Sequence, residues 1–391
     1  MLLYIAWFII AFLIYRTRQS QQNKRFLFLY MLGLAFFVGI ADMLGGFDRY
    51  IYGAHFDSFA DSISAWNWDE IVFKLYNETR SSEMGFSMTY ILVSLFSENR
   101  YIYIFCVTLL IYTLLFISFK RYVENYPMAF MLFLGLWFFF TFTYLRQVLA
   151  CSIAWLAVKY IIERNLKWYA LLVFIAYTMH NSAIVFFPFY FIPVKKFDKG
   201  HVILVMALLL FIGITNLPAS LFGAFGGMME SEHRTAQYAD DYAFRIEYIL
   251  EALLFLYIIL SNYKKIPNTR LNLVFLNMSL VFCGILLLFC LNTQGGRLSW
   301  YFMLGLITTL SSIAKSKKLF SQDNIVLIAL SFFLFFRIVT GWGYMIYPYK
   351  TFFTDGVRNN DLVWEEFEYD HKYDSDKFYR PAFRIPGQKD N

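Results

Sequence analysis

The run WYALLVFIAYTMHNSAIVFFPFYFIP, residues 168–193, decides how the rest of the chain is read. It is apolar at both ends and interrupted by His180, Asn181 and Ser182, with Pro188 and Pro193 following. Each half holds about thirteen residues, roughly 20 Å of helix, whereas the core of a bilayer is about 30 Å thick. Neither half spans alone, so the run predicts a broken or re-entrant helix pair that returns to the side it left. The basic residues favour this over a single crossing. They cluster at Arg16, Arg18, Lys24 and Arg25; at Lys120 and Arg121; at Arg164 and Lys167; at Lys195, Lys196 and Lys199; at Lys264, Lys265 and Arg270; and at Lys315, Lys317 and Lys318. With 168–193 as a hairpin, all six clusters fall on one face, the cytoplasmic one under the positive-inside rule.

Outward from that run, apolar segments recur at 1–15, 26–41, 101–119, 128–144, 147–162, 201–217, 246–261, 271–291, 298–314 and 324–341. The run 86–96 is too short to cross and is expected to lie at the interface. The composition agrees with these segments. Of 391 residues, 59% are hydrophobic and 16% charged, against about 25% charged in soluble proteins. The expected fold class is all-α: a polytopic transmembrane helix bundle with broken or re-entrant helices and a large extracytoplasmic loop. The net charge of +6 is dispersed in short clusters, which argues against nucleic acid as a partner. Cys106, Cys151, Cys283 and Cys290 all sit in apolar runs without a CxxC pair and read as core-filling residues. The first run, from Leu2 to Tyr15, lacks a charged n-region and a small-residue cleavage site, so it reads as a retained span.

A membrane domain over 1–341 and a polar extracytoplasmic tail over 342–391 are the expected divisions. Two polar loops interrupt the first. Loop 42–85 is acidic (Asp42, Asp48, Asp57, Asp61, Asp69, Glu70, Glu78, Glu83) and carries Trp66 and Trp68. Loop 218–245 begins glycine-rich and ends in SEHRTAQYADDYAFR.

Charged groups at membrane depth are costly and therefore candidates for function. Arg146 in TYLRQVLA, Arg297 in NTQGGRLSWYF, Arg245 in AFRIEYIL, His180 at the helix break and Asp48 in GGFDRYIY all fall toward the expected outer leaflet. Guanidinium forks match phosphate oxygens and stay charged where the dielectric is low. Arg146, Arg297 and Arg245 are thus the candidates to hold a diphosphate and stabilise it as it departs. An inverting glycosyl transfer also needs a general base for the acceptor hydroxyl, and Asp48 and His180 are the candidates. Blander readings stand beside these. Arginines at helix ends snorkel to headgroups, a histidine at a break can cap backbone groups, and Asp48 follows a Gly-Gly turn. Arg337, deep in the last span, has no evident acidic mate. The pair His55 and Asp57 lacks a third ligand at metal spacing, and the DSD string at 374–376 lies in a polar tail, so no metal is expected. There is no GxxxxGK[ST] and no GxGxxG, and no cofactor is expected. Trp66, Trp68 and Trp300 offer flat faces on which sugar rings could stack.

Five stretches in order carry a resemblance: GGFDRYIY (45–52), EMGFSMTYILVSLF (83–96), LRQVLACSIAWLAVKYIIERN (145–165), YTMHNSAIVFFPFYFI (177–192) and GGRLSWYF (295–302). In these the chain resembles the EpsG family of exopolysaccharide-synthesis membrane proteins, which is similar in role to the Wzy O-antigen polymerases. The likeness covers about residues 1–340. One block departs, because Glu83-Met84-Gly85-Phe86 stands where the family tends to E-P-G-Y/F. The resemblance implies a multi-pass polymerase of the bacterial cytoplasmic membrane, acting at its outer face on undecaprenyl-diphosphate-linked oligosaccharides. A flippase and a chain-length regulator are the partners it implies. Asp48, Glu83, Arg146, Gln147, His180 and Arg297 fall on the family's characteristic positions, and Glu83, Gln147 and Tyr301 are expected to contact substrate.

Three other classes compete. An O-antigen ligase also binds a lipid diphosphate and expels it. A flippase for the same lipid would need polar residues along whole spans, and the inner halves here are apolar apart from Lys159. An O-acyltransferase would need an acyl path to His180.

Overall fold

The structure is a computed structural model. It describes residues 1–17, 21–43, 47–77, 83–215, 217, 218, 220, 243–292, 294–347, 349–354, 377, 378 and 380–383. Gly45, Gly46, Glu78, the DSD string at 374–376 and nearly all of loop 218–245 lie outside the described residues. The first α-helices are α1 (Leu2–Arg16), α2 (Lys24–Gly39), α3 (Phe47–Ser64), α4 (Trp68–Asn77), α5 (Met84–Ser94) and α6 (Arg100–Tyr122). There follow α7 (Tyr126–Leu136), α8 (Phe140–Thr143), α9 (Leu145–Glu163), α10 (Leu166–Met179) and α11 (Lys199–Gly213). The last are α12 (Ile246–Ser261), α13 (Arg270–Leu288), α14 (Met303–Lys315), α15 (Gln322–Gly341) and α16 (Gly343–Ile346). Tighter 3₁₀ turns run over Asn181–Phe191, Tyr263–Lys265 and Gly295–Phe302.

Asparagine, aspartate and threonine start these helices. The side chains of Asn23, Asn99, Asn125, Asp198 and Thr269 accept from the first free amides of α2, α6, α7, α11 and α13. Among the described residues, four helices, α6, α9, α13 and α15, are long and apolar enough to cross a bilayer. The remaining apolar helices are shorter, so fewer segments are full-length helices than the runs suggest. Apolar side chains face outward along several of them: Leu204, Leu208 and Phe211 on α11, Leu250, Leu253 and Tyr257 on α12, and Phe332, Phe333 and Phe336 on α15. Water would not tolerate so much exposed apolar surface, whereas lipid would. The chain is an all-α membrane protein.

The chain forms two compact units. The first comprises Met1–Leu156, Leu171–Ala183 and Asn324–Asn391; the second comprises Ala157–Ala170 and Ile184–Asp323. In the second, α13 is its central helix, approached closely by two glycines. A Cβ on Gly213 would lie 2.1 Å from the Leu287 carbonyl oxygen, and one on Gly305 would lie 2.1 Å from the Cβ of Met278. Ser279 Oγ bonds to Thr309 Oγ1 at 3.0 Å, tying α13 to α14. Small residues and hydroxyl bonds of this kind hold helices together where lipid removes the hydrophobic drive.

The first unit departs from expectation in three places. Loop 42–85 is largely helical, forming α3 and α4. Its charges hide an apolar face, because Tyr52, Phe56, Phe59, Ala60 and Ile63 recur at helical spacing and are buried. Trp66 takes a left-handed φ of 52°, ending α3 and turning the chain into α4. The run 128–144 is not one helix. It stops at Leu136, where Trp137 adopts φ −140° and packs its buried indole 4.8 Å from that of Trp155. Finally, the tail is partly built into the unit. Thr351 pairs with Ala41 across an antiparallel bridge, and Tyr349 stacks on Phe37 at 4.3 Å. Lys377 reaches Asp42 at 2.6 Å, and both side chains are buried. The Lys377 ammonium also donates to the carbonyls of Thr351 and Thr354, and the Asn99 side chain donates to that of Lys377.

Arg49 holds the same end of the unit. Its guanidinium is fully buried and donates to the carbonyls of Val38, Ala41 and Phe142, at the ends of α2 and α8. Burial pulls its pKa down to about 10, and Asp42 opposes the fall, so the group stays charged at neutral pH.

The buried Lys377–Asp42 pair yields a first prediction. Lys377→Ala strands a buried carboxylate and should cost about 3–5 kcal/mol. The double variant Lys377→Met with Asp42→Leu should recover most of that loss. Thermal unfolding of the purified protein in detergent checks both.

Candidate functional site

The helix break predicted inside 168–193 is present. It falls at His180, between α10 and the 3₁₀ turn at Asn181–Phe191. A 3₁₀ run of 11 residues is long for that geometry, and at about 2 Å per residue it extends the chain roughly 22 Å. Pro188 inside it cannot donate a backbone bond.

The break leaves amides without helical partners, and a carboxylate supplies one. Glu83, buried at the start of α5, accepts the amide of Asn181 on Oε1 at 3.2 Å. Its other oxygen accepts Nη1 of Arg146 at 2.7 Å. One side chain thereby joins the starts of α5 and α9 to the broken helix. The Glu83 side chain is 4% exposed and that of Arg146 25% exposed, so the carboxylate is sealed while the guanidinium keeps an open edge. Arg146 Nε is buried and makes no hydrogen bond.

Gly85 makes this geometry possible. A Cβ there would lie 2.2 Å from Thr178 Oγ1 and 2.8 Å from Thr178 Cβ, so α5 meets α10 at glycine distance. On the far side of Arg146 lies Tyr52, with its ring 5.6 Å from the guanidinium carbon. Burial pushes the Tyr52 phenol up to about 12, against the opposing pull of Arg146, so it is a neutral hydroxyl at physiological pH. Asp48 stands one turn earlier on α3, half-buried, and its charge acts on Tyr52. Gln147, next to Arg146 in the first turn of α9, is buried. The ring of His180 is bonded through Nδ1 to Ser182, whose hydroxyl is 2.7 Å away.

Five predicted site residues, Asp48, Glu83, Arg146, Gln147 and His180, thus belong to the first unit. Glu83 and the residues it touches bring Arg146 and the His180 break together. Tyr52, Asn181 and Ser182 complete this group; the sequence marked Asn181 and Ser182 only as part of the break, and it did not single out Tyr52. Tyr52 stands four residues after Asp48, a helical spacing that α3 makes meaningful only once it is known to be a helix.

Arg245, Arg297 and Tyr301 belong to the second unit. Arg297 donates to the side chain of Gln294 at 2.8 Å and lies 5.4 Å from the Trp300 ring. A Cβ on Gly296 would meet the Tyr248 ring at 2.4 Å. The charges of both Arg245 and Arg297 act on Tyr248. The Arg245 amide bonds to the Cys290 carbonyl at 2.8 Å, fixing the entry to α12. Tyr301 is fully buried, and Arg337 lies on an exposed face of α15.

His55 and Asp57 contact different neighbours. Arg100 Nε donates to Asp57 Oδ2 at 3.0 Å, both side chains are buried, and Gly53 leaves the room that the arginine stem occupies. The His55 ring faces that of Tyr90 at 6.3 Å.

Because Gly85 sets the spacing, Gly85→Ala should cost about 1–3 kcal/mol by overpacking. It should also pull Glu83 off Asn181 and loosen the break at His180, whereas Gly341→Ala, with open space around its Cβ, should do neither. Melting in detergent and amide hydrogen exchange at Asn181 read the two effects.

In a comparison with protein families, residues 24–351 match the EpsG family. No curated protein and no solved structure matches the chain. The family match spans most of the sequence, and the chain belongs to the EpsG family of polysaccharide-synthesis membrane proteins.

Proposed function

We propose that the protein is a multi-pass polysaccharide polymerase of the bacterial cytoplasmic membrane, a glycosyltransferase that joins undecaprenyl-diphosphate-linked repeat units at the outer face. The observation that carries this reading is Arg146, gripped by a sealed carboxylate on one edge and open on another, in a chain of the EpsG family. Glu83 cannot neutralise the whole guanidinium environment at its open edge, and a phosphate oxygen is the ligand that such an edge suits.

In the reaction, a sugar hydroxyl of one repeat unit attacks the anomeric carbon of another. The new C–O bond forms as the bond from that carbon to the diphosphate breaks, and the diphosphate leaves with the electron pair. Asp48 takes the proton of the attacking hydroxyl. Arg146 stabilises the charge that builds on the leaving diphosphate, and Arg297 and Arg245 of the second unit are the further guanidiniums assigned to phosphate. Trp66 and Trp68, exposed past the end of α3 with ring centroids 6.2 Å apart, offer flat faces to the chain. A flippase would supply the lipid-linked units, and a chain-length regulator would set when growth stops.

The test is polymer length in a deletion strain complemented with single variants. Asp48→Asn should cut polymerisation by about 10²–10⁴-fold as a lost base. Arg146→Ala and Arg297→Ala should each cut it by about 10²–10³-fold as lost anion donors. All three should leave single repeat units while inserting normally. Full-length ladders from every variant would overturn the assignment, and long polymer left unattached in the deletion strain would point to a ligase.

A further inference from the structure

The turn after α10 fixes more than the path of the chain. The His180 amide still bonds back to the Ala176 carbonyl at 3.0 Å, and the Asn181 amide goes to Glu83. Ser182 then folds over so that two of its groups reach one ring nitrogen of His180. Its hydroxyl oxygen is 2.7 Å from Nδ1, and its backbone amide donates to Nδ1 at 3.3 Å.

A hydroxyl can give or take a hydrogen bond, but an amide N–H can only give one. The Ser182 amide therefore needs a lone pair on Nδ1, and a proton on Nδ1 would set N–H against N–H. A neutral imidazole with Nδ1 unprotonated carries its proton on Nε2.

We propose that Ser182 holds His180 in the Nε2–H form, so that His180 acts as a neutral hydrogen-bond donor to an oxygen of the departing diphosphate and not as the general base. This rests on the polymerase reading. A base must offer an empty ring nitrogen, and the empty one here is occupied by Ser182. A donor needs no proton transfer, so the reaction balances without His180 changing charge. The hydroxyl proton goes to Asp48, the diphosphate leaves as an anion, and the Nε2–H bond strengthens as that anion forms. Ser182 is a positioning residue, acting only through the ring it orients.

Two measurements test this. The first uses the full chain in lipid nanodiscs with ¹⁵N-labelled histidine, in which ring-nitrogen shifts report which nitrogen carries the proton. The chain has five histidines, and the signal lost in His180→Gln is that of His180. The expected result is a bare Nδ1 in the native protein and in Ser182→Ala, which keeps the backbone amide, and a mixture of tautomers in Ser182→Pro, which lacks it. The second compares polymer ladders. Glutamine at 180 can donate at similar reach but cannot act as a base, so His180→Gln should keep polymerisation within about tenfold of native, while His180→Ala loses about 10²-fold. A protonated Nδ1 in the native protein, or His180→Gln as inactive as His180→Ala, would overturn the donor role. Polymerase activity of the native chain and its loss in Arg146→Ala are judged separately, so failure here leaves the polymerase reading standing.

Discussion

Glu83 gives its two oxygens to parts of the chain that have nothing else in common, and much of the first unit's chemistry depends on that division. An amide freed by a helix break must find an acceptor when water is scarce, because an unpaired buried donor costs about 1–3 kcal/mol. A guanidinium in the same surroundings needs an anion. A single carboxylate meets both demands. The break at His180 can therefore exist only where α5 delivers an acid, and α5 can deliver it only because Gly85 lets that helix touch Thr178. The resulting site is rigid on its inner side and open at one edge of Arg146.

The sequence was most informative where the signal is local. Polar residues inside an apolar run, followed by Pro188, announced the break at His180. Arginines and a histidine in apolar surroundings announced themselves by their cost. What stayed hidden depends on pairings between distant positions. Nothing in EMGF says that Glu83 meets an arginine 63 residues later. Nothing in FDRY says that Arg49, unlike Asp48 beside it, turns inward to serve three carbonyls. The acidic residues of 42–85 read as a solvated loop because their charges outnumber the apolar stripe of α3, although burial follows the stripe and not the count.

The two aromatic populations also separate only in three dimensions. Tyr4, Phe37, Phe139, Phe142 and Tyr349 interlock as edge-to-face and stacked pairs within the first unit. Phe332, Phe333 and Phe336 on α15 point outward. In sequence, both groups are simply phenylalanine- and tyrosine-rich. Ring pairs of the first kind contribute about 0.5–1.5 kcal/mol each beyond burial, whereas the second kind solvates the protein in lipid.

Asp42 and its lysine stand 335 residues apart, and a ribosome adds about 5–20 residues per second. The N-terminal helices must therefore wait on the order of tens of seconds at that pace before the cation exists that completes them. During this interval the carboxylate at the end of α2 has to remain hydrated, keeping one corner of the nascent bundle wet and unlocked. Assembly of the first unit is in this sense completed only once Lys377 arrives.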